Sequence, residues 1–151
     1  YGIWPSAEAK LFAESKIKLK PVLSWKTLVG EIKNIKAGER LGYDFTEKVE
    51  RDSKIAILPI GYWHVFPRAL SGVGQVLIKG QKAKVLGRVC MDITTVDVTD
   101  IADVQVGDEV TIIGSDGDQS ISADDIASLV KGSNGYETVT RINPLIKRIY
   151  R

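Results

Sequence analysis

At 151 residues the chain has the length of one domain, and a domain of that size buries roughly 70% of the surface its unfolded form exposes. Its 44% hydrophobic and 26% charged residues are ordinary for a soluble globular protein, and a net charge of +2 is too small to suggest a polyanionic partner. No apolar run reaches the length of a membrane span, no signal-peptide pattern stands at its start, and a lone cysteine excludes an internal disulfide framework and suits a reducing compartment.

After a turn at Trp4-Pro5-Ser6, residues 7–15 are mixed in character and read as a helical turn or a loop. Residues 22–35 are rich in β-branched side chains at an approximate period of two, which predicts one long strand with a bulge or bend at Gly30. A turn at 36–39 leads to a short strand over 40–45 that carries Tyr43, and the polar residues 46–53 read as a surface connection into an apolar strand over 54–60. The loop that follows, Gly61-Tyr62-Trp63-His64-Val65-Phe66-Pro67-Arg68, gathers the aromatic and cationic types that dominate contact surfaces.

Residues 75–78 and 83–91 predict a hairpin about 79–82, with further strands over 93–98 and 109–113 and a hairpin loop over 114–119. A helix is expected over 122–131. Ser122 with Asp125 three residues on is a capping-box start, and Gly132 supplies the stop. Residues 136–142 and 146–150 read as closing strands separated by Pro144. The pattern predicts a mostly β, barrel- or sandwich-like antiparallel domain with one short α-helix.

Little of the familiar chemistry is available. One histidine and one cysteine cannot make a typical zinc site, so no metal is expected. Ser71-Gly72-Val73-Gly74 leads into a hairpin rather than a helix and so is not a phosphate loop. Cys90, within a predicted strand, reads as a small buried hydrophobe, and His64 as a loop or interface residue without a positioned nucleophile.

Ile60-Gly61-Tyr62, Arg68, Gly87-Arg88-Val89-Cys90-Met91-Asp92 and Asp97-Val98-Thr99-Asp100 stand in an order and spacing similar to the C-terminal β-domain of alanine racemases, which use pyridoxal phosphate. The resemblance runs from Tyr1 to Arg151. It implies a cytoplasmic homodimer that interconverts L- and D-alanine, with active sites shared between subunits. The cofactor would be held by a lysine of a preceding barrel domain, of which residues 1–6 would be the tail, and these 151 residues alone would be inactive.

Racemisation takes a proton from one face of the α-carbon and returns one to the other, which two groups on opposite sides accomplish directly. The resemblance implies that Tyr43, in Leu41-Gly42-Tyr43-Asp44, is the second of these bases and acts in the partner's site. A free phenol titrates near 10, so such a role needs a cationic or hydrogen-bonded setting. The resemblance also implies that the main-chain N–H of Met91 holds the substrate carboxylate and that Tyr136 contacts the cofactor phosphate. Tyr62, Arg68 and Arg88 would line the substrate corridor.

Three departures from the family pattern stand out. Asp44 replaces a glycine and is expected to point away from the phenol. Gly135 replaces an asparagine and would loosen Tyr136. Trp63-His64-Val65-Phe66 is bulkier than the family's loop and would narrow the corridor. Other readings stay open: a serine racemase or a basic amino-acid decarboxylase of similar build, a purely structural dimerisation module, or a nucleic-acid-binding β-barrel using Lys18, Lys20, Lys26 and Lys33.

Overall fold

The fold was obtained as a computed structural model, which describes residues 1–13 and 16–150. Its elements in chain order are α1 (Ala7–Ala13), β1 (Trp25–Leu28), β2 (Glu31–Ile35), β3 (Arg40–Leu41), β4 (Glu47–Lys48), β5 (Ser53–Leu58), β6 (Gln75–Ile78), β7 (Gln81–Leu86), β8 (Thr94–Asp97), β9 (Glu109–Asp116), β10 (Gln119–Ile121), α2 (Ala123–Ser128) and α3 (Gly135–Thr140). One antiparallel sheet runs β1-β9-β6-β7-β8-β5-β2, with β10 added to β9, and a separate hairpin pairs β3 with β4. The mostly antiparallel β class expected from the sequence is what forms. No helix among the described residues is long and apolar enough to cross a membrane.

The predicted strand over 22–35 is two strands, divided at Val29–Gly30. Polar groups at the division serve both flanks: Val29 N–H donates to the Asp108 carbonyl and Gly30 N–H to the Ile57 carbonyl, each at 2.9 Å. β1 therefore joins β9 while β2 joins β5, at opposite ends of the strand order. A sheet whose two edges are two residues apart in the chain must curve back on itself. No ladder joins β1 to β2, however, so the sheet is curved and open rather than the closed barrel the sequence allowed.

β5 explains the unbroken apolar run at Ile55–Leu58. Ala56 and Leu58 face the main core with Phe66, Leu77, Val85, Val96 and Ile112, whereas Ile55 faces a small second cluster with Leu41, Val49 and Leu86. A strand covered on both faces needs no polar alternation. The second cluster anchors the β3–β4 hairpin, which interrupts what read as a featureless connection over 46–53.

The chain's last third departs most from expectation. Where a strand was expected over 136–142 the chain forms α3, which ends at Thr140, because Asn134 caps it: its Oδ1 accepts from the Glu137 N–H at 2.8 Å. The β-branched Thr138 and Thr140, which suggested a strand, bond back to the carbonyls of Asn134 and Tyr136 at 3.1 and 2.7 Å. Residues 146–150 carry no strand either. The expected helix over 122–131 is present as the shorter α2, opened by the predicted Ser122–Asp125 box.

Candidate functional site

Five of the six residues singled out in the sequence converge on the segment that leaves β7, residues 87–92. Tyr43 does not lie on a strand as expected. β3 ends at Leu41, and Tyr43–Phe45 form a 3-10 turn in which Asp44 and Phe45 have φ of 59° and 50°. Left-handed backbone is tolerated by aspartate but is unusual for a phenylalanine.

The turn is braced from within by Arg40 Nη1 on the Phe45 carbonyl (3.0 Å) and by Thr46 Oγ1 on the Tyr43 carbonyl (3.3 Å). It is braced from outside by the 87–92 segment. A Cβ placed on Gly42 would stand 3.3 Å from Gly87 Cα and from the Arg88 nitrogen, so the two backbones meet without side chains between them. Gly87 N–H donates to Glu47 Oε2 at 3.2 Å, and Arg88 Nη1 donates to Asp44 Oδ2 at 2.6 Å. Tyr43 itself is 60% exposed.

The 61–68 loop docks on the same segment. Tyr62 N–H donates to the Cys90 carbonyl at 3.0 Å and Trp63 N–H to the Met91 carbonyl at 2.8 Å. Gly61 makes this approach possible, because a Cβ there would lie 2.2 Å from the Cys90 oxygen. His64, set aside in the sequence as a loop residue, holds the loop's entry: its Nδ1 accepts from the Gly61 N–H at 3.1 Å, and its ring packs edge-on against Trp63.

The bulky quartet does not act as a unit. Phe66 is fully buried and meets Trp25 edge-on at 6.4 Å, so only Trp63 and, in part, His64 and Val65 remain at the surface. Arg68 is exposed after Pro67, and its turn is tied to the segment through Ser71, whose Oγ accepts from Val89 N–H at 3.0 Å. Cys90 is half-buried in this segment rather than inside a strand. Met91 is 52% exposed, and its N–H donates to no acceptor among the described residues.

Tyr136 stands apart on α3, 39% exposed, its hydroxyl donating at 3.4 Å to the Ile3 carbonyl. Gly135 is buried, and a Cβ there would come within 2.2 Å of Asp124 Oδ1; the glycine seats α3 on α2. Sequence reasoning missed the Asn134 cap, although an asparagine three residues before Glu137 is itself a helix-start signal. Tyr62 and α3 residues Glu137 and Thr138 do share the walls of a cavity of about 270 Å³.

The carboxylates held below their usual range lie on other surfaces: Asp52 by a hydrogen bond from Lys36, Asp100 by one from Arg51, and Asp108 by the Gln105 N–H and Lys79. No group of three or more His, Cys, Asp or Glu side chains suited to a metal occurs among the described residues. What the 87–92 face presents is a pair of exposed phenols, two arginines of which one is paired with Asp44, and a main-chain N–H without an acceptor among the described residues. Such a face can supply groups to a reaction, and the residues that bear them are open to water.

The family profile described as "Alanine racemase, C-terminal domain" matches residues 22–150. The alanine racemase of Halothermothrix orenii is 47% identical over 151 residues, covering all of this chain and 38% of that protein. Among solved structures, alanine racemase from Bacillus anthracis with bound L-Ala-P superposes with a TM-score of 0.87 at 36% identity, covering 95% of this chain and 36% of that one. That from Bartonella henselae with covalently bound pyridoxal phosphate gives 0.82 at 31% identity, covering 90% and 37%. The chain thus spans well under half the length of the relatives it matches.

Proposed function

The chain belongs to the alanine racemase C-terminal domain family, and from that premise we propose that it is the β-domain of a pyridoxal-phosphate-dependent racemase that interconverts L- and D-alanine. The whole enzyme is a cytoplasmic homodimer in which this domain completes the partner subunit's site. The observation that carries the reading is that the elements bearing Tyr43, Tyr62 and Arg68 all dock on residues 87–92, which hold Arg88 and a Met91 N–H without an acceptor among the described residues. An open face with donors and exposed phenols is what a domain contributing to another subunit's site presents.

Each group has a task suited to its chemistry. Tyr43 exchanges a proton with one face of the α-carbon, while a lysine of the preceding domain serves the other face. The Met91 N–H donates to the substrate carboxylate, a role a main-chain amide performs without a charge of its own. Arg68, exposed on its turn, draws that carboxylate toward the site.

The residues present fit the cofactor at the domain's margin. Tyr136 has only a long bond to the Ile3 carbonyl, so its hydroxyl is free to donate to a phosphate oxygen. When bound, pyridoxal phosphate withdraws the electron pair left as the α-proton departs.

Mixing two defective full-length variants tests the shared site. One lacks the cofactor lysine of the preceding domain, and the other is Tyr43→Phe. Each homodimer should be badly impaired. After subunit exchange, roughly a quarter of all sites should recover, because random pairing in a two-fold dimer makes half the dimers mixed and leaves one sound site in each. Verified exchange without any gain in racemisation would exclude a Tyr43 that acts in the partner's site.

A further inference from the structure

Among the described residues, one ion pair joins the turn that carries Tyr43 to the segment that carries Met91: Asp44 with Arg88, at 2.6 Å. We infer that Asp44 is a positioning residue whose carboxylate, through Arg88, straps the Tyr43 turn to residues 87–92 and so fixes the phenol relative to the Met91 N–H. The inference rests on the proposed function for the reason that this distance matters.

The backbone gives the strap something to hold. Asp44 and Phe45 are consecutive left-handed residues, a conformation that persists only where the surroundings impose it. The bonds from Arg40 and Thr46 lie within the hairpin and cannot orient it on the rest of the domain. Leu41 and Val49 anchor the base of the hairpin in the second cluster, and toward residues 87–92 its orientation comes from Glu47 on the Gly87 N–H, from the Gly42–Gly87 contact, and from Asp44 on Arg88. Two of these flank Tyr43: the Gly42 contact before it is packing alone, and the Asp44–Arg88 pair after it is the side-chain bond that grips the turn.

The pair also changes what Arg88 can do. Its guanidinium and the Asp44 carboxylate are both partly exposed but engaged with one another, so their charges largely cancel. Arg88 therefore acts on the reaction through Tyr43, and Arg68 is left as the cation that meets substrate.

The test uses the full-length enzyme with Asp44→Gly, Arg88→Gln, the double variant and Arg88→Lys. Glycine at 44 accepts the left-handed backbone, so that substitution removes the strap without straining the turn. Asp44→Gly and Arg88→Gln should each lower kcat about three- to fivefold, the scale of one exposed pair, with KM for alanine nearly unchanged. The double variant should be no worse than the worse single one, because the two residues act as one device. Arg88→Lys, which keeps the charge, should recover much of the loss.

Additive losses, or a raised KM at unchanged kcat, would place Arg88 on the substrate and overturn the strap. If the wild-type enzyme fails to racemise alanine, the functional reading falls, and hydrogen exchange at the amides of residues 43–46 decides the strap alone. Exchange should quicken in Asp44→Gly and Arg88→Gln; unchanged exchange would sink the proposal.

Discussion

Gly61→Ala should damage the site more than any exposed substitution near it. The backbone there is extended (φ −159°) and would accept alanine, so the outcome turns on space alone. The new Cβ would lie 2.2 Å from the Cys90 carbonyl oxygen and 2.6 Å from that of Met91, which forces the loop off the segment it docks on. The expected loss is about 1–3 kcal/mol, the usual cost of overpacking, read as a lowered denaturation midpoint. At this scale the sequence can propose a residue for its chemistry, as with Tyr43 and Met91. It was silent where a residue acts by contact: nothing in the string tells that Phe66 turns into the core between Val65 and Pro67, or that Asp44 meets Arg88 44 positions away.

The elements show the same divide between local and distant causes. The start of α2 could be read directly because its cap is a four-residue device: Ser122 Oγ accepts from Asp125 N–H at 3.0 Å, and Asp125 Oδ2 accepts from Ser122 N–H at 2.7 Å. Ser122→Ala should cost about 1 kcal/mol in thermal or denaturant unfolding. Asn134→Ala should cost a similar amount and, by fraying the first turn of α3, should also displace Tyr136 from Ile3. α3 was misread because Tyr136, Thr138, Val139 and Thr140 favour strands by type, and a cap outside the segment reversed that preference. β4 was missed, and the strand expected over 40–45 shrinks to β3, for another reason. Two residues each are too short to show a period, and what holds them is distant in the chain: Leu41 and Val49 pack on Ile55 and Leu86, and Glu47 accepts from the Gly87 N–H.

For the molecule as a whole, acid should erode stability through three surface carboxylates. Asp52, Asp100 and Asp108 each titrate lower in the folded chain than when free, chiefly through hydrogen bonds from Lys36, Arg51 and the Gln105 N–H respectively. A carboxylate lowered by folding adds stability above its unfolded value, about pH 4, and loses it as pH falls through the folded value. Unfolding midpoints should therefore drop below about pH 4, less steeply in Asp100→Asn and in high salt, since these pairs are solvent-exposed. An acid limb identical in wild type and Asp100→Asn would show that the Arg51 pair contributes nothing. The antiparallel class was readable from strand periods, but the strand order was not, because it depends on the corner at Val29–Gly30. That corner also bears on how the protein is made. Lys26 on β1 meets Glu109 on β9, 83 residues further along the chain, whereas β2 needs only β5 to pair. During synthesis one side of the corner can dock early while the other waits, strand-ready and unpartnered, until β9 has been translated. Closing so long a loop makes for slow folding, and the waiting stretch is where a nascent chain of this kind is open to mispairing.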